Sequence, residues 1–201
     1  MSITASSIAA AVARANGAMG RLEQVLNDAD AKLGDGDTGG MLARVLGKMA
    51  EVDLSSATDP GTALSQLAKA ATIATGSSLG TLFATGLLAA GREAKGRGAI
   101  VAGDLSALVA TARDAMIARG GASLGDKTVL DSLDAIADAL KGVQTPEQAA
   151  KAAEKAASDA LDTFRSKPNR IGRARMFGDQ TIGSDDPGML AVKELSAALA
   201  A

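Results

Sequence analysis

The sequence predicts an all-α chain folded as a single domain, and three observations carry that expectation. Roughly one residue in five is Ala, while aromatics are 1% with neither Trp nor Tyr, a composition that favours helices over sheets. Apolar residues recur at three- and four-residue intervals, as in Leu105, Leu108, Val109, Ala112 and Met116, and again in Val129, Leu130, Leu133, Ile136, Ala137 and Leu140. No segment of four or more residues shows strand alternation. A length of 201 residues suits one ordinary domain, and no Pro- or Ser-rich linker or solenoid period divides it.

Taken in order, helices are expected over about 4–18, 20–30, 40–51, 60–74, 78–92, 103–119, 127–141 and 146–165, followed by a loop and a last helix near 187–200. Asp59-Pro60 and Asp186-Pro187 each place an N-cap before a proline at N1, which opens the fourth and the last of these. Thr145-Pro146-Glu147-Gln148 adds the partner of a capping box at N3. Stops are expected at Gly91, Gly120 and Gly142. Small Ala side chains, as in 148–161, permit close helix packing but bury little apolar area each, so the fold relies on many modest contacts.

Composition also removes whole classes of chemistry. The chain has no Cys and no His, which excludes disulfides, thiolate zinc sites, Ser-His-Asp triads and imidazole acid–base chemistry supplied by this chain. A net charge of −2 argues against a nucleic-acid binder. The opening Met1-Ser2-Ile3-Thr4-Ala5-Ser6-Ser7 lacks the basic and apolar blocks of a secretory signal, so a cytoplasmic location is expected. Ala70 to Gly91 is uncharged and near bilayer length, yet its four Thr, two Ser and four Gly read better as a buried helix with a glycine-rich start than as a membrane span.

The most informative stretch is Asp30-Ala31-Lys32-Leu33-Gly34-Asp35-Gly36-Asp37-Thr38-Gly39-Gly40. Carboxylates this close repel unless a cation holds them, and magnesium takes such hard oxygen ligands while keeping sites for water and phosphate. An EF-hand frame fails, because counting from Asp35 puts Gly39 and Leu46 where Asp or Asn and Glu are required. The competing reading is a solvated acidic turn that caps a helix.

Three further loops suit an anion. Gly76-Ser77-Ser78-Leu79-Gly80-Thr81 stands at a helix start, where N–H groups and hydroxyls can cradle a phosphate. Gly120 to Thr128 nearly spells a P-loop, but Asp126 interrupts it and a helix rather than a strand precedes it. Lys167, Arg170, Arg173 and Arg175 form a basic run without an acid, followed by Asp186-Pro187-Gly188, and arginine forks match phosphate well. Together these loops point to a magnesium–nucleotide site.

With these residues in order, the chain resembles the ADP-binding L subunit of dihydroxyacetone kinase and the nucleotide domain of its ATP-dependent relatives. The likeness rests on Asp30 with Gly34-Asp35-Gly36-Asp37-x-Gly39, Gly76-x-x-x-Gly80, Gly125-Asp126-Lys127-Thr128-x-Leu130-Asp131, Gly172-Arg173-Ala174 and Gly183-x-x-Asp186-Pro187-Gly188. The resemblance implies an antiparallel barrel of eight amphipathic helices holding nucleotide at one end. It implies two magnesium ions on Asp30, Asp35 and Asp37, and ADP or ATP contacts at Thr38, Gly39, Gly40, Met41, Ser78, Leu79, Gly120, Val129, Arg173, Asp186, Pro187 and Gly188. It also implies a partner K-type subunit that holds dihydroxyacetone covalently on a histidine, since this chain has none, and a phosphotransferase-system donor that recharges bound ADP.

Three positions depart from the usual L-subunit pattern: Thr38 in place of His, Leu79 in place of Ser, and the segment 178–185. They leave open an ATP-dependent kinase for another short ketose. From outside the enzyme class, an ADP-loaded module docking on a transcription factor predicts nucleotide binding without transfer. A nucleotide-free helical interaction protein predicts no magnesium effect on thermal stability.

Overall fold

The computed structural model describes residues 2–201, and eight α-helices carry the architecture: α1 (Ala5–Asp30), α2 (Thr38–Ala50), α3 (Pro60–Ala74), α4 (Ser78–Glu93), α5 (Leu105–Gly120), α6 (Val129–Ala139), α7 (Pro146–Arg165) and α8 (Pro187–Ala200). A 3-10 turn lies at Ala102–Asp104, and Ala174–Thr181 holds two more, separated by a kink at Gly178 (φ 52°). Strand-type pairing among the described residues is confined to one antiparallel bridge between Ile3 and Ile100. The expected all-α class is therefore the observed one.

Each helix packs on its neighbours in sequence, and α8 returns to pack on α1, so the eight helices close an antiparallel ring. The caps work as their residue types dictate. Asp59 accepts from the Thr62 N–H at 2.9 Å and Asp186 from the Met189 N–H at 2.9 Å, each with proline at the first helical position. The capping box expected at Thr145 forms only in half: Thr145 accepts from the Gln148 N–H, but the Gln148 side chain reaches one residue further back, to the Gln144 N–H. Reciprocal boxes instead form at Thr4 with Ser7 and at Thr128 with Asp131.

The largest apolar cluster lies within α1, α2, α3, α4 and α8, where Leu22, Leu26, Val45 and Leu67 are almost completely withdrawn from water. On the other side, α6 and α7 meet through Ile136, Leu140 and a row of alanines, and α5 buries only Leu108 and Met116 among its described residues. The Ala-rich half thus packs close with little apolar area per residue, as its composition anticipated.

Two boundaries differ from the sequence expectation. Residues 4–18 and 20–30 fall in one helix, because Gly17 and Gly20 lie on its exposed face and glycine keeps its backbone donor and acceptor in the helix ladder. Gly91 does not stop α4, which runs on to Glu93; Gly91 packs there against Ser65 of α3. The α3–α4 stretch that had membrane length is two helices broken at Thr75, and no helix among the described residues is long and apolar enough to cross a membrane.

Glycine serves opposite purposes on α1 and α2. A Cβ at Gly20 would meet nothing within 4 Å, so Gly20→Ala is expected to raise stability in urea denaturation by about 0.5–1 kcal/mol. A Cβ at Gly39 would sit 2.0 Å from the Glu23 carbonyl oxygen of α1, so Gly39→Ala must push two backbones apart and is expected to cost about 1–3 kcal/mol in the same measurement.

Candidate functional site

An antiparallel ring puts alternate connections at the same end. Here the segments 31–37, 75–77, 121–128 and 166–186 share one end, and with them the first turns of α2, α4, α6 and α8. These segments and helix starts surround a cavity of about 1010 Å³. Four helix N-termini facing one cavity aim the positive ends of four helix dipoles at its contents, which favours an anion. The volume is ample for a nucleotide-sized ligand.

On one wall, the end of α1 meets the start of α2. The carboxylates of Asp30, Asp35 and Asp37 converge there, with one oxygen from each lying within 4.8 Å of the others. Asp30 is buried and fixed: its Oδ2 accepts from the Asp37 N–H at 3.0 Å and the Thr38 N–H at 3.2 Å. Gly34 makes room for it, since a Cβ at Gly34 would lie 2.4 Å from Asp30 Oδ1. Asp35 and Asp37 are exposed to the cavity side, and Asp35 is ion-paired with Arg173 of the opposite loop. An exposed pair of this kind contributes little stability, about 0–1 kcal/mol; its effect is to hold an arginine beside the acids. Three convergent carboxylates are hard oxygen donors of the type magnesium takes.

Across the cavity, the starts of the other even-numbered helices supply donors and an apolar floor. Ser77 caps α4 by accepting from the Gly80 N–H at 3.1 Å, and Ser78 and Leu79 follow it along the wall. Met41, Leu79, Leu82, Leu130 and Ile171 give the lining its apolar part, while Arg119, Arg173 and Arg175 bring positive charge to the rim.

The long loop between α7 and α8 is held in place by a buried lysine. Lys127 is 1% exposed and adopts a left-handed backbone (φ 63°), a conformation that costs a residue with a side chain on the order of 1 kcal/mol. Its Nζ donates to the carbonyls of Lys167 at 2.8 Å and Thr181 at 2.9 Å, with Arg165 O at 3.5 Å. Burial pushes its amino group below the usual lysine range, opposed by the charges of Asp186 and Asp185. Asn169 completes the knot: its side-chain amide donates to Lys127 O at 3.0 Å and to Asp186 Oδ2 at 2.8 Å. Burial raises the Asp186 carboxyl to about 6, against the opposing pull of hydrogen bonds from Met189, Asn169 and Gly188 and of the Lys127 charge.

Residues 32–201 match the DAK2 domain profile. The chain belongs to the DAK2 domain family. As a DAK2 domain it is 28% identical over 176 residues to the ADP-binding subunit DhaL of the PEP-dependent dihydroxyacetone kinase of Escherichia coli, covering 84% of this chain and 83% of that one. It is 32% identical over 188 residues to the D-erythrulose kinase of Mycolicibacterium smegmatis, covering 88% of this chain and 32% of that enzyme. The dihydroxyacetone kinase of C. freundii, solved in complex with AMP-PNP and Mg2+, superimposes with a TM-score of 0.75 at 27% identity, over 97% of this chain and 33% of that one. The DAK2 domain thus spans about a third of these two kinases and most of the separate DhaL subunit.

Within this DAK2 domain, most of the residues singled out in the sequence share one cavity. Asp30, Asp35, Asp37, Thr38, Met41, Ser78, Leu79, Gly120, Val129, Arg173, Asp186, Pro187 and Gly188 all line the cavity. Gly39 and Gly40 do not. Their N–H groups donate to Asn27 Oδ1 of α1, at 2.8 and 3.1 Å, and they lie in the α1–α2 contact instead. The segment that resembled a P-loop also has another role: Lys127 points away from the cavity into the carbonyl knot, and Asp131 closes the loop by accepting from Gly125 N–H and Thr128 N–H. Sequence reasoning missed Asn27 and Asn169. Asn27 stands one helical turn before Asp30, a spacing that places both on one face of α1; nothing local marked Asn169.

The Asp186 carboxyl makes stability depend on pH with a defined sign. A carboxyl raised to about 6 binds its proton more tightly when folded than when unfolded, so its contribution is present at acid pH and is lost as pH rises through 6. Asp186→Asn retains a neutral cap of equal quality. In urea denaturation of metal-free protein, the variant is expected to gain on the wild type between pH 4.5 and 7.5 by on the order of 2 kcal/mol. Parallel pH curves for the two proteins would contradict this placement of the proton.

Proposed function

We propose that the chain is the nucleotide-binding subunit of a dihydroxyacetone-type kinase, which presents a magnesium-bound nucleotide to dihydroxyacetone or a similar short ketose. The observation that carries the reading is the cavity where four helix N-termini face three convergent aspartates. In this reading Asp30, Asp35 and Asp37 hold two magnesium ions. When bound, the ions supply charge neutralisation and orientation at the nucleotide phosphates.

The chain's own groups do the rest by position. The start of α4, where Ser77 takes the Gly80 N–H, leaves the Ser78 and Leu79 N–H groups as fixed donors to phosphate oxygens, and the positive dipole ends of α2, α6 and α8 stand beside them. Arg173, already beside Asp35, is placed to meet phosphate charge with its fork. Met41, Leu79, Leu82 and Ile171 form an apolar floor for the base, and Asp186 with Pro187 and Gly188 closes the opposite side. No cavity residue is a histidine, so the acceptor and the base that takes its hydroxyl proton belong to a partner. We infer a K-type partner that carries the ketose covalently, a phosphotransferase-system donor for bound ADP, and a cytoplasmic location. The likeness to D-erythrulose kinase favours a second reading, in which ATP exchanges freely and a four-carbon ketose is the acceptor.

The test is to purify the protein in magnesium buffer, desalt and denature it, and identify the released nucleotide by mass spectrometry. Near-stoichiometric ADP is expected for the donor-recharged kinase; an empty protein that binds ATP with magnesium in calorimetry supports the exchanging one. Neither retention nor magnesium-dependent binding would sink both readings. Asp35→Ala and Asp37→Ala are each expected to abolish magnesium-dependent nucleotide retention while leaving the helical CD spectrum nearly unchanged.

A further inference from the structure

Asp37 occupies the N-cap position of α2 yet makes no side-chain capping bond. An aspartate there ordinarily turns its carboxylate back to accept from the N–H groups two and three residues on, here Gly39 and Gly40. Those two N–H groups are instead taken by a single oxygen, Asn27 Oδ1, from the last turns of α1. The preceding two donors, Asp37 N–H and Thr38 N–H, go to Asp30 Oδ2. All four donors at the start of α2 are therefore satisfied from α1, and none needs the Asp37 side chain.

The geometry points to Asn27 as a positioning residue that caps α2 in place of Asp37 and so leaves the Asp37 carboxylate free for a divalent cation. The inference rests on the cation–nucleotide reading of the cavity. Asn27 suits the task because one side-chain oxygen accepts both N–H groups. The contact also explains the glycine at 39: a Cβ there would lie 2.8 Å from Asn27 Oδ1 and 2.0 Å from Glu23 O, too close for the amide to reach the turn. Without the Asn27 oxygen, the Gly39 and Gly40 N–H groups lose their partner, and the nearest residue built to replace it is Asp37 itself. A carboxylate recruited as a cap turns away from Asp30 and Asp35.

The experiment uses the full chain and two readouts. Calorimetry with ADP and magnesium measures the cation-dependent affinity; thermal denaturation in EDTA measures the metal-free fold. Asn27→Ala is expected to weaken magnesium-dependent ADP binding about tenfold or more, and Asn27→Asp, which keeps the acceptor, to restore it to within about threefold of wild type. In EDTA, Asp37→Ala is expected to leave the melting temperature of the wild type nearly unchanged, because Asp37 caps nothing. In the Asn27→Ala background the same change is expected to lower it by about 2–4 °C, because Asp37 has taken over the cap. Asn27→Ser, too short to reach both N–H groups, gives the same pair of readouts if the alanine variant does not fold. Equal Asp37→Ala effects in both backgrounds, or wild-type affinity in Asn27→Ala, would overturn the inference. If Asp37→Ala itself leaves magnesium-dependent binding intact in the wild type, the cation reading fails instead.

Discussion

Closing an even number of antiparallel helices into a ring forces every second helix to begin at the same end. That constraint organises the rest of this molecule. Each end of the ring therefore carries four helix starts and four helix ends, and the cavity end gathers the starts of α2, α4, α6 and α8 with the ends of α1, α3, α5 and α7. The cavity end also holds the aspartate cluster and the long α7–α8 loop. Acidic side chains beside the helix starts gain from the positive dipole ends, and the arginine-bearing loop sets positive charge across from them.

The α1–α2 junction turns that general field into a specific geometry. Its seven-residue link brings Asp35 and Asp37 back over Asp30, and the last turn of α1 supplies the acceptors that α2 needs. Burial then separates roles that sequence cannot separate: Asp30 is fixed by two backbone donors, whereas Asp35 and Asp37 stay exposed. On the other side, a buried lysine and asparagine tie the arginine-bearing loop to the start of α6. The strained backbone at Lys127 is compensated by carbonyls that belong to a segment roughly 40 residues away, which makes the loop's placement a property of the whole fold.

Much of this was legible in advance, because the signals are local. Proline after aspartate at 59–60 and 186–187 opens α3 and α8 for reasons contained in those residues alone, and the clustered aspartates at 30–37 are adjacent enough in sequence to mark a charge cluster before any fold is known. The expected break at Gly17–Gly20 did not occur, since a helix already packed through Val12, Ala15, Ala18, Met19 and Leu22 tolerates glycine on its exposed face. Gly39 and Gly40, expected as ligand contacts, donate their N–H groups to Asn27 at the α1–α2 contact. Glycine at a helix start admits either use, and only the approach of Glu23 and Asn27 decides between them.

Composition, periodicity and caps by themselves determined the all-α class, most helix boundaries and the absence of imidazole and thiol chemistry, since each depends on residue type and short-range spacing. Tertiary structure decided which side chains meet: that Asn27 relieves Asp37 of its cap, that Lys127 is a buried tie rather than a phosphate ligand, and that Asp186 holds its proton to about 6. Those outcomes depend on distances and burial between segments far apart in the chain, and no local pattern encodes them.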